Sequence, residues 1–286
     1  MSIQTLAVLM TSFNRRALTV KSLDSLFRQK NIASTQLTVF LVNDGCTDGT
    51  DTAVRSLFPE VNVLQGDGTL FWNGGMRLAF DVAMRERFDA YLFLNDDTVL
   101  YEDTLSRIIA CAESYLASGK PAIVVSSTKS SKDSKHSYGG ILTISRGLAM
   151  NFVPVFPNPI APLSCDTMNG NCVLIPEEVA KVLGNLDEHF RHQYGDLDYG
   201  LRARRAGFEV VVCPGYSGEC NQNTKVGSWR DPSIPFIKRW RHLISPKGVP
   251  IKEWFFFTRR HFGWRWPYYV VSPYLKTITS SLLPRT

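Results

Sequence analysis

Nowhere in the 286-residue chain is there a run approaching the roughly 20 apolar residues that a membrane-spanning helix needs, so its 44% hydrophobic content is available for a folded core. Six cysteines, at positions 46, 111, 165, 172, 213 and 220, form no Cys-x-x-Cys pair and have no histidines at zinc-site intervals. That removes a zinc ribbon or finger, and the cysteines read as reduced cytosolic thiols. Met1 to Leu6 lack a basic n-region and run straight into a strand-like segment, so a secretory leader is not expected. There is no internal repeat and no long low-complexity stretch, which excludes a solenoid and a disordered tail protein. Acids are scarce in one place only. From Arg230 onward eleven Lys or Arg face two acids, so the net charge of +6 comes from the tail and residues 1–229 are slightly acidic.

What is present alternates. Leu6 to Thr11 is a short apolar run, followed by a polar turn and by Val20, Leu23 and Phe27 at helical spacing. Leu37 to Val42 predicts a second strand, with Val54, Leu57 and Phe58 marking the helix after it, and Val61 to Leu64 a third. Met76, Ala79, Phe80 and Ala83 give a helical face before the strand Ala90 to Leu94; Leu105, Ile108, Ile109 and Ala112 give another before Ala122 to Val125. Strands and helices in this order predict an α/β fold with right-handed crossovers, a mainly parallel central sheet and helices on its faces. Ser126 to Ser137, rich in Ser and Lys, reads as an exposed loop, and Gly139-Gly140 opens two strand-like runs. Cys172 to Ile175 resumes a strand. Pro176-Glu177-Glu178 starts a helix with proline at its first position, Asp196 to Ala206 forms another, and Phe208 to Cys213 is the next strand. The expected organisation is a half spanning 1–125, a second half of the same domain spanning 126–229, and a basic aromatic helical extension spanning 230–286.

In a sheet of this kind ligands meet the carboxyl ends of the strands, which is where Asn14, Asp44, Asp67 and Asp97 fall. The segment Phe93-Leu94-Asn95-Asp96-Asp97 is the most telling, because an apolar run stops in an amide and two carboxylates. Such an ending suits a cation and a phosphate; it is also how an acidic turn stops a strand and caps the next helix.

Four motifs occur in order: Thr11-Ser12-Phe13-Asn14-Arg15, Val42-Asn43-Asp44-Gly45-Cys46-Thr47-Asp48-Gly49-Thr50, Asn95-Asp96-Asp97, and Gly195-Asp196-Leu197-Asp198-Tyr199-Gly200-Leu201-Arg202. Together, over roughly residues 3–220, they resemble the inverting family 2 glycosyltransferases of the Rossmann-like GT-A fold. Gly66-Asp67-Gly68-Thr69-Leu70-Phe71-Trp72-Asn73-Gly74-Gly75-Met76 and the tail segment Ser245-Pro246-Lys247-Gly248 are similar in detail to bacterial rhamnosyltransferases. The resemblance implies a nucleotide-sugar donor, expected to be dTDP-L-rhamnose with a UDP-hexose as the alternative, and a glycan or lipid-linked glycan acceptor. It implies that Asp44 meets the base, with Thr11, Phe13 and Arg15 beside it. Asp67, Trp72, Gly75 and Arg77 are expected around the donor, with Asn95 on the ribose and Asp96 either assisting or capping the following turn. Asp97 is the expected ligand of Mg²⁺ or Mn²⁺, hard ions that take one or two carboxylates plus phosphate and water. Asp196 matches the catalytic base, although Gly195 stands where the family more often has a second acid. Asp198 and Arg202, four apart, read as a structural pair.

A third metal ligand is not assigned. His189, His192, His242 and His261 have no spacing that singles one out and read as surface or packing residues; Cys220-Asn221-Gln222-Asn223 lies where that ligand would be expected. The tail interleaves Trp254, Phe255, Phe256, Phe257, Trp264 and Trp266 with Lys252, Arg259, Arg260 and Arg265. This composition suits peripheral contact with an anionic membrane from the cytoplasmic side, and equally the core of a homodimer interface. A sequence pI near 9 also raises a nucleic-acid-binding reading. The confinement of charge to the tail and the carboxylates at the strand ends speak against it, so no nucleic-acid partner is expected.

Overall fold

A computed structural model describes residues 2–32, 34–222, 226–231 and 233–282. The first half runs β1 (Thr5–Ser12), α1 (Arg16–Phe27), β2 (Gln36–Asn43), α2 (Thr50–Leu57), β3 (Asn62–Gln65), α3 (Phe71–Glu86) and β4 (Ala90–Leu94). It continues through β5 (Val99–Leu100), α4 (Thr104–Ala117), β6 (Ala122–Lys129) and β7 (His136–Tyr138) to a hairpin, β8 (Gly140–Arg146) and β9 (Ala149–Pro154). β10 (Leu163–Ser164), β11 (Thr167–Met168), β12 (Cys172–Pro176), α5 (Glu177–Leu183), α6 (Gly195–Arg205) and β13 (Glu209–Glu219) complete the sheets. Three helices follow: α7 (Phe236–Leu243), α8 (Ile251–His261) and α9 (Trp266–Leu282).

The main sheet has the order β10-β13-β6-β12-β4-β1-β2-β3. Four of its ladders are parallel: β1 pairs with β2 and β4, β2 with β3, and β13 with β6. β12 enters antiparallel between β4 and β6. Side-chain alternation on β1 divides the core. Ala7 and Leu9 join Met76, Ala79, Phe80 and Ala83 of α3 on one face, while Leu6, Val8 and Met10 join Leu23 and Leu26 of α1 on the other. The central strands are therefore apolar throughout and change character only at their ends.

Three expectations are corrected. Ser126 to Ser137 is not an exposed loop: β6 runs on to Lys129 with Ser126, Ser127 and Thr128 buried, and only the turn before β7 is open. Pro176 is the residue before α5, in extended conformation, rather than its first turn. The last strand runs beyond Cys213 to Glu219, bending where its register with β6 shifts. Much of the aromatic tail is packed, because Phe257 and Phe262 form a buried cluster with Phe190, flanked by Tyr194, Leu197, Trp254 and Phe152. Among the described residues no helix is long and apolar enough to cross a membrane.

Candidate functional site

A cleft opens at the carboxyl ends of β1 and β2 and over the start of α3. Its floor comes from Thr11 and Ser12, which leave β1 as the chain turns through Asn14 at φ 53°. Phe13, about half exposed, stands at the rim, and Arg15 precedes α1. Asp44, at the end of β2, is buried and organises the opposite wall: its Oδ1 accepts the Gly68 amide at 2.8 Å and its Oδ2 the Phe71 amide at 3.0 Å. The carboxylate expected to read a base is thus also the clamp that holds the loop before α3. Phe71 itself sits at φ 56°, a conformation costing a non-glycine residue about 1 kcal/mol or more, so the loop is strained at the cleft and held by Asp44.

Behind β4 lies the acidic pair. Arg15 Nη1 reaches Asp97 Oδ2 at 2.8 Å and Asp96 Oδ1 at 3.2 Å, so one guanidinium bridges both carboxylates. Asp96 is nearly closed to solvent, and burial pushes its carboxyl up to about 6 despite Arg15. Asp97 keeps partial exposure and accepts the Cys220 thiol at 3.3 Å on its other oxygen. Burial, with Asp97 adding to it, pushes that thiol up to about 12, so Cys220 faces Asp97 as a donor and not as a thiolate. Asn223, the last residue of that segment, lies outside the described residues. The donor set fits a hard divalent cation: two carboxylates already converge on a single positive group at the mouth of a cleft. Among the described residues no cluster of three or more His, Cys, Asp or Glu would enclose an ion, so such a cation would draw the rest of its shell from phosphate and water.

Trp72 joins this cleft to Asp196. Its indole N–H donates to Asn95 Oδ1 at 2.6 Å, and the ring lies against Gly170, where a Cβ would come within 2.6 Å of it. The Gly170 amide in turn donates to Asp196 Oδ2 at 3.0 Å, while Asp196 Oδ1 takes the Leu197 amide at 2.8 Å. Asp196 stands in the first turn of α6, entered through Tyr194 at φ 72°. Burial raises its pKa, and the Gly170 and Leu197 amides oppose that rise. The result is a fixed, half-buried carboxylate with more proton affinity than one in water.

The expected site residues therefore divide. Thr11, Phe13, Arg15, Asp44, Trp72 and Asp96 line the cleft; Asp97 is tied to it by Arg15 and Asp196 by Trp72 and Gly170. Asn95 accepts the Trp72 indole N–H on Oδ1. Arg77 lies outside, holding Leu186 O at 3.1 Å and Glu188 at 3.5 Å, and so braces the segment leading to α6. Asp67 is turned to its own loop, accepting from Thr69 N and Oγ1. Gly75 serves the crossing of α3 over β1, since a Cβ there would meet Thr11 Oγ1 at 2.1 Å.

Two lining residues escaped the sequence. His192 accepts the Trp72 amide on Nδ1 at 3.4 Å, and burial, helped by Lys247 and Arg15, holds its imidazole down to about 4, in the neutral form. Lys247 arrives from the tail, its carbonyl held by Gln193 Nε2 at 2.8 Å, and no ion pair engages its ammonium among the described residues. The Ser245-Pro246-Lys247-Gly248 turn was the only signal for Lys247; four scattered histidines carried none for His192. The tail is secured to α6 as well. Asp198, fully buried, pairs with Arg202, Arg260 and His261, each at 2.8 Å. Burial opposes ionisation of Asp198, and these three partners hold its pKa below the ordinary value nonetheless.

The family model for glycosyl transferase family 2 matches residues 7–158. No curated protein matches the chain. Among solved structures, the fold is similar to a mannosyltransferase from Pyrobaculum calidifontis in complex with GDP-Man and Mn²⁺, with a TM-score of 0.56 and 17% identity. That likeness covers 91% of this chain, which spans 65% of the other's length. At this identity it is a likeness of fold, the GT-A arrangement of a central sheet flanked by helices.

Proposed function

From a chain that belongs to glycosyl transferase family 2, we propose an inverting glycosyltransferase that moves a sugar from a nucleotide-sugar donor to a glycan hydroxyl. The preferred donor is dTDP-L-rhamnose and the acceptor a lipid-linked glycan of a cell-surface polysaccharide. One observation supports the reading: Arg15, Lys247, Asp96 and Trp72 line one cleft, Arg15 ties Asp97 to it, and Trp72 packs on Gly170, whose amide holds the Asp196 carboxylate.

The donor's diphosphate is anionic, and Arg15 and Lys247 are the cleft residues that attract it. Asp97, with Asp96 beside it, would hold Mg²⁺ or Mn²⁺ with Arg15 paired to phosphate instead. A bound cation neutralises charge on the departing diphosphate. The neutral His192 adds no charge to this balance and supports the Trp72 backbone. On the acceptor side, Asp196 takes the hydroxyl proton as that oxygen bonds to the anomeric carbon. The bond from carbon to phosphate oxygen breaks with its electron pair leaving on the nucleoside diphosphate, and attack from the opposite face inverts the carbon.

The Pyrobaculum calidifontis structure with GDP-Man favours a GDP-sugar as the second reading of the donor. Thermal melting with dTDP-rhamnose, UDP-glucose, UDP-galactose and GDP-mannose, each with and without Mn²⁺, tests both. Metal-dependent protection by dTDP-rhamnose above the others supports the preferred donor, and protection by GDP-mannose alone replaces it. No protection by any nucleotide sugar refutes the function.

A further inference from the structure

We propose that the outer face of α8 and α9, together with the tip of the β8–β9 hairpin, docks on the surface of an anionic lipid bilayer. The composition of the tail left a membrane and a dimer as equal readings; the placement of individual side chains separates them.

The inner aromatic residues of the tail are used in packing, with Phe257 and Phe262 buried against Phe190. A different set points outward. Tyr268, Val271 and Leu275 recur at three- and four-residue spacing along α9 and are 48%, 47% and 54% exposed. Trp264, 68% exposed, extends this line through the turn before the helix, and Phe255 on α8 is exposed and packs edge-on against Trp266 at the start of α9. The hairpin joins the same surface, because Arg265 Nε donates to Gly147 O at 2.7 Å and Tyr269 Oη donates to Leu148 O at 3.2 Å. Those bonds hold the exposed Leu148 at the end of the stripe.

Charge chooses the occupant. Lys252 and Arg259 are exposed on α8 and Lys276 on α9, and Arg146 is exposed at the hairpin tip. Residues 140–154 and 251–280 contain one acid between them, Glu253, which is buried against Arg191. A second copy docked on this face by two-fold symmetry would set cations against cations. An anionic bilayer matches both properties: rings and aliphatic chains enter at headgroup level, and the surrounding Lys and Arg meet lipid phosphates.

Flotation of the full chain with vesicles tests it, without donor or acceptor. The chain should float with vesicles of equal parts phosphatidylcholine and phosphatidylglycerol, stay behind with phosphatidylcholine alone, and release as salt rises. Each cation near the surface is worth about fivefold in binding, so Arg259→Gln with Lys276→Gln should weaken it roughly 25-fold. Trp264→Ser with Leu275→Ser should abolish flotation while leaving the melting temperature near that of the wild type, since both side chains are exposed. Three outcomes would overturn the proposal: no flotation with anionic vesicles, equal flotation with neutral ones, or a dimer by light scattering that Trp264→Ser converts to monomer. The salt dependence of the wild type decides the matter even where a variant fails to fold.

Discussion

Two groups that face the same cleft titrate in opposite senses, and substituting one should expose the other. Asp96 is shifted from its ordinary 3.8 up to about 6, chiefly by burial. Between these values the folded state binds more protons than the unfolded one, so Asp96 makes stability fall as pH rises through that window. The shift is worth about 3 kcal/mol. His192 is shifted from 6.5 down to about 4, again chiefly by burial. Here the unfolded state binds more protons, so stability rises with pH between about 4 and 6.5, again by about 3 kcal/mol. In the wild type the two contributions nearly cancel over pH 4 to 6. Asp96→Asn removes the falling one. Measured by urea unfolding at pH steps through this window, with chelator and without donor, the stability of the variant relative to wild type should climb by about 3 kcal/mol from pH 4 to 6. His192→Gln should show the reverse, a relative decline of similar size. A difference curve that is flat for both variants would refute the burial and charge environment described for the cleft.

Lys247→Ala removes a cation from the donor side without touching the acidic pair. It should weaken binding of nucleoside diphosphate by about tenfold in titration calorimetry, as expected for a charged hydrogen bond worth roughly 1.5 kcal/mol, while nucleoside alone binds no worse. An equal loss for both ligands would count against a phosphate role. Asp198→Asn strips the shared anion from Arg202, Arg260 and His261 in a fully buried position. Loss of one partner from such a cluster costs about 3 kcal/mol, readable as a lower urea midpoint; a loss below 1 kcal/mol would show that the tail is not anchored there.

The parts of the site that could be read in advance are those set by local rules. Ala90 to Leu94 is a fully buried strand, so the polar Asn95-Asp96-Asp97 had to fall at its end, and the same logic located Asp44 after β2 and Asp196 at the start of α6. What could not be read depended on partners distant in sequence. The hydroxyls of Ser126, Ser127 and Thr128 suggested a loop, yet the strand is held between β12 and β13, and pairing outweighed composition. Arg77 has the charge for a phosphate site but sits on α3 where the segment before α6 claims it. Lys247 stands far from the strand ends along the chain and reaches them through contacts between distant segments: Gln193 holds its carbonyl, and α8 is fastened to α6 through Asp198. Asp44 was recognised by position, while its role as the clamp on Gly68 and Phe71 required the loop to be seen folded.

In the proposed reaction one cleft binds the donor and a separate carboxylate, Asp196, activates the acceptor. Single-turnover transfer by wild type and Asp196→Asn, with donor affinity measured on the same samples by calorimetry in Mn²⁺, tests it most directly. Donor affinity should be unchanged and the rate of transfer lower by about 10²- to 10⁴-fold in the variant, the range for loss of a general base. Transfer at the wild-type rate in Asp196→Asn, with donor still bound, would contradict it.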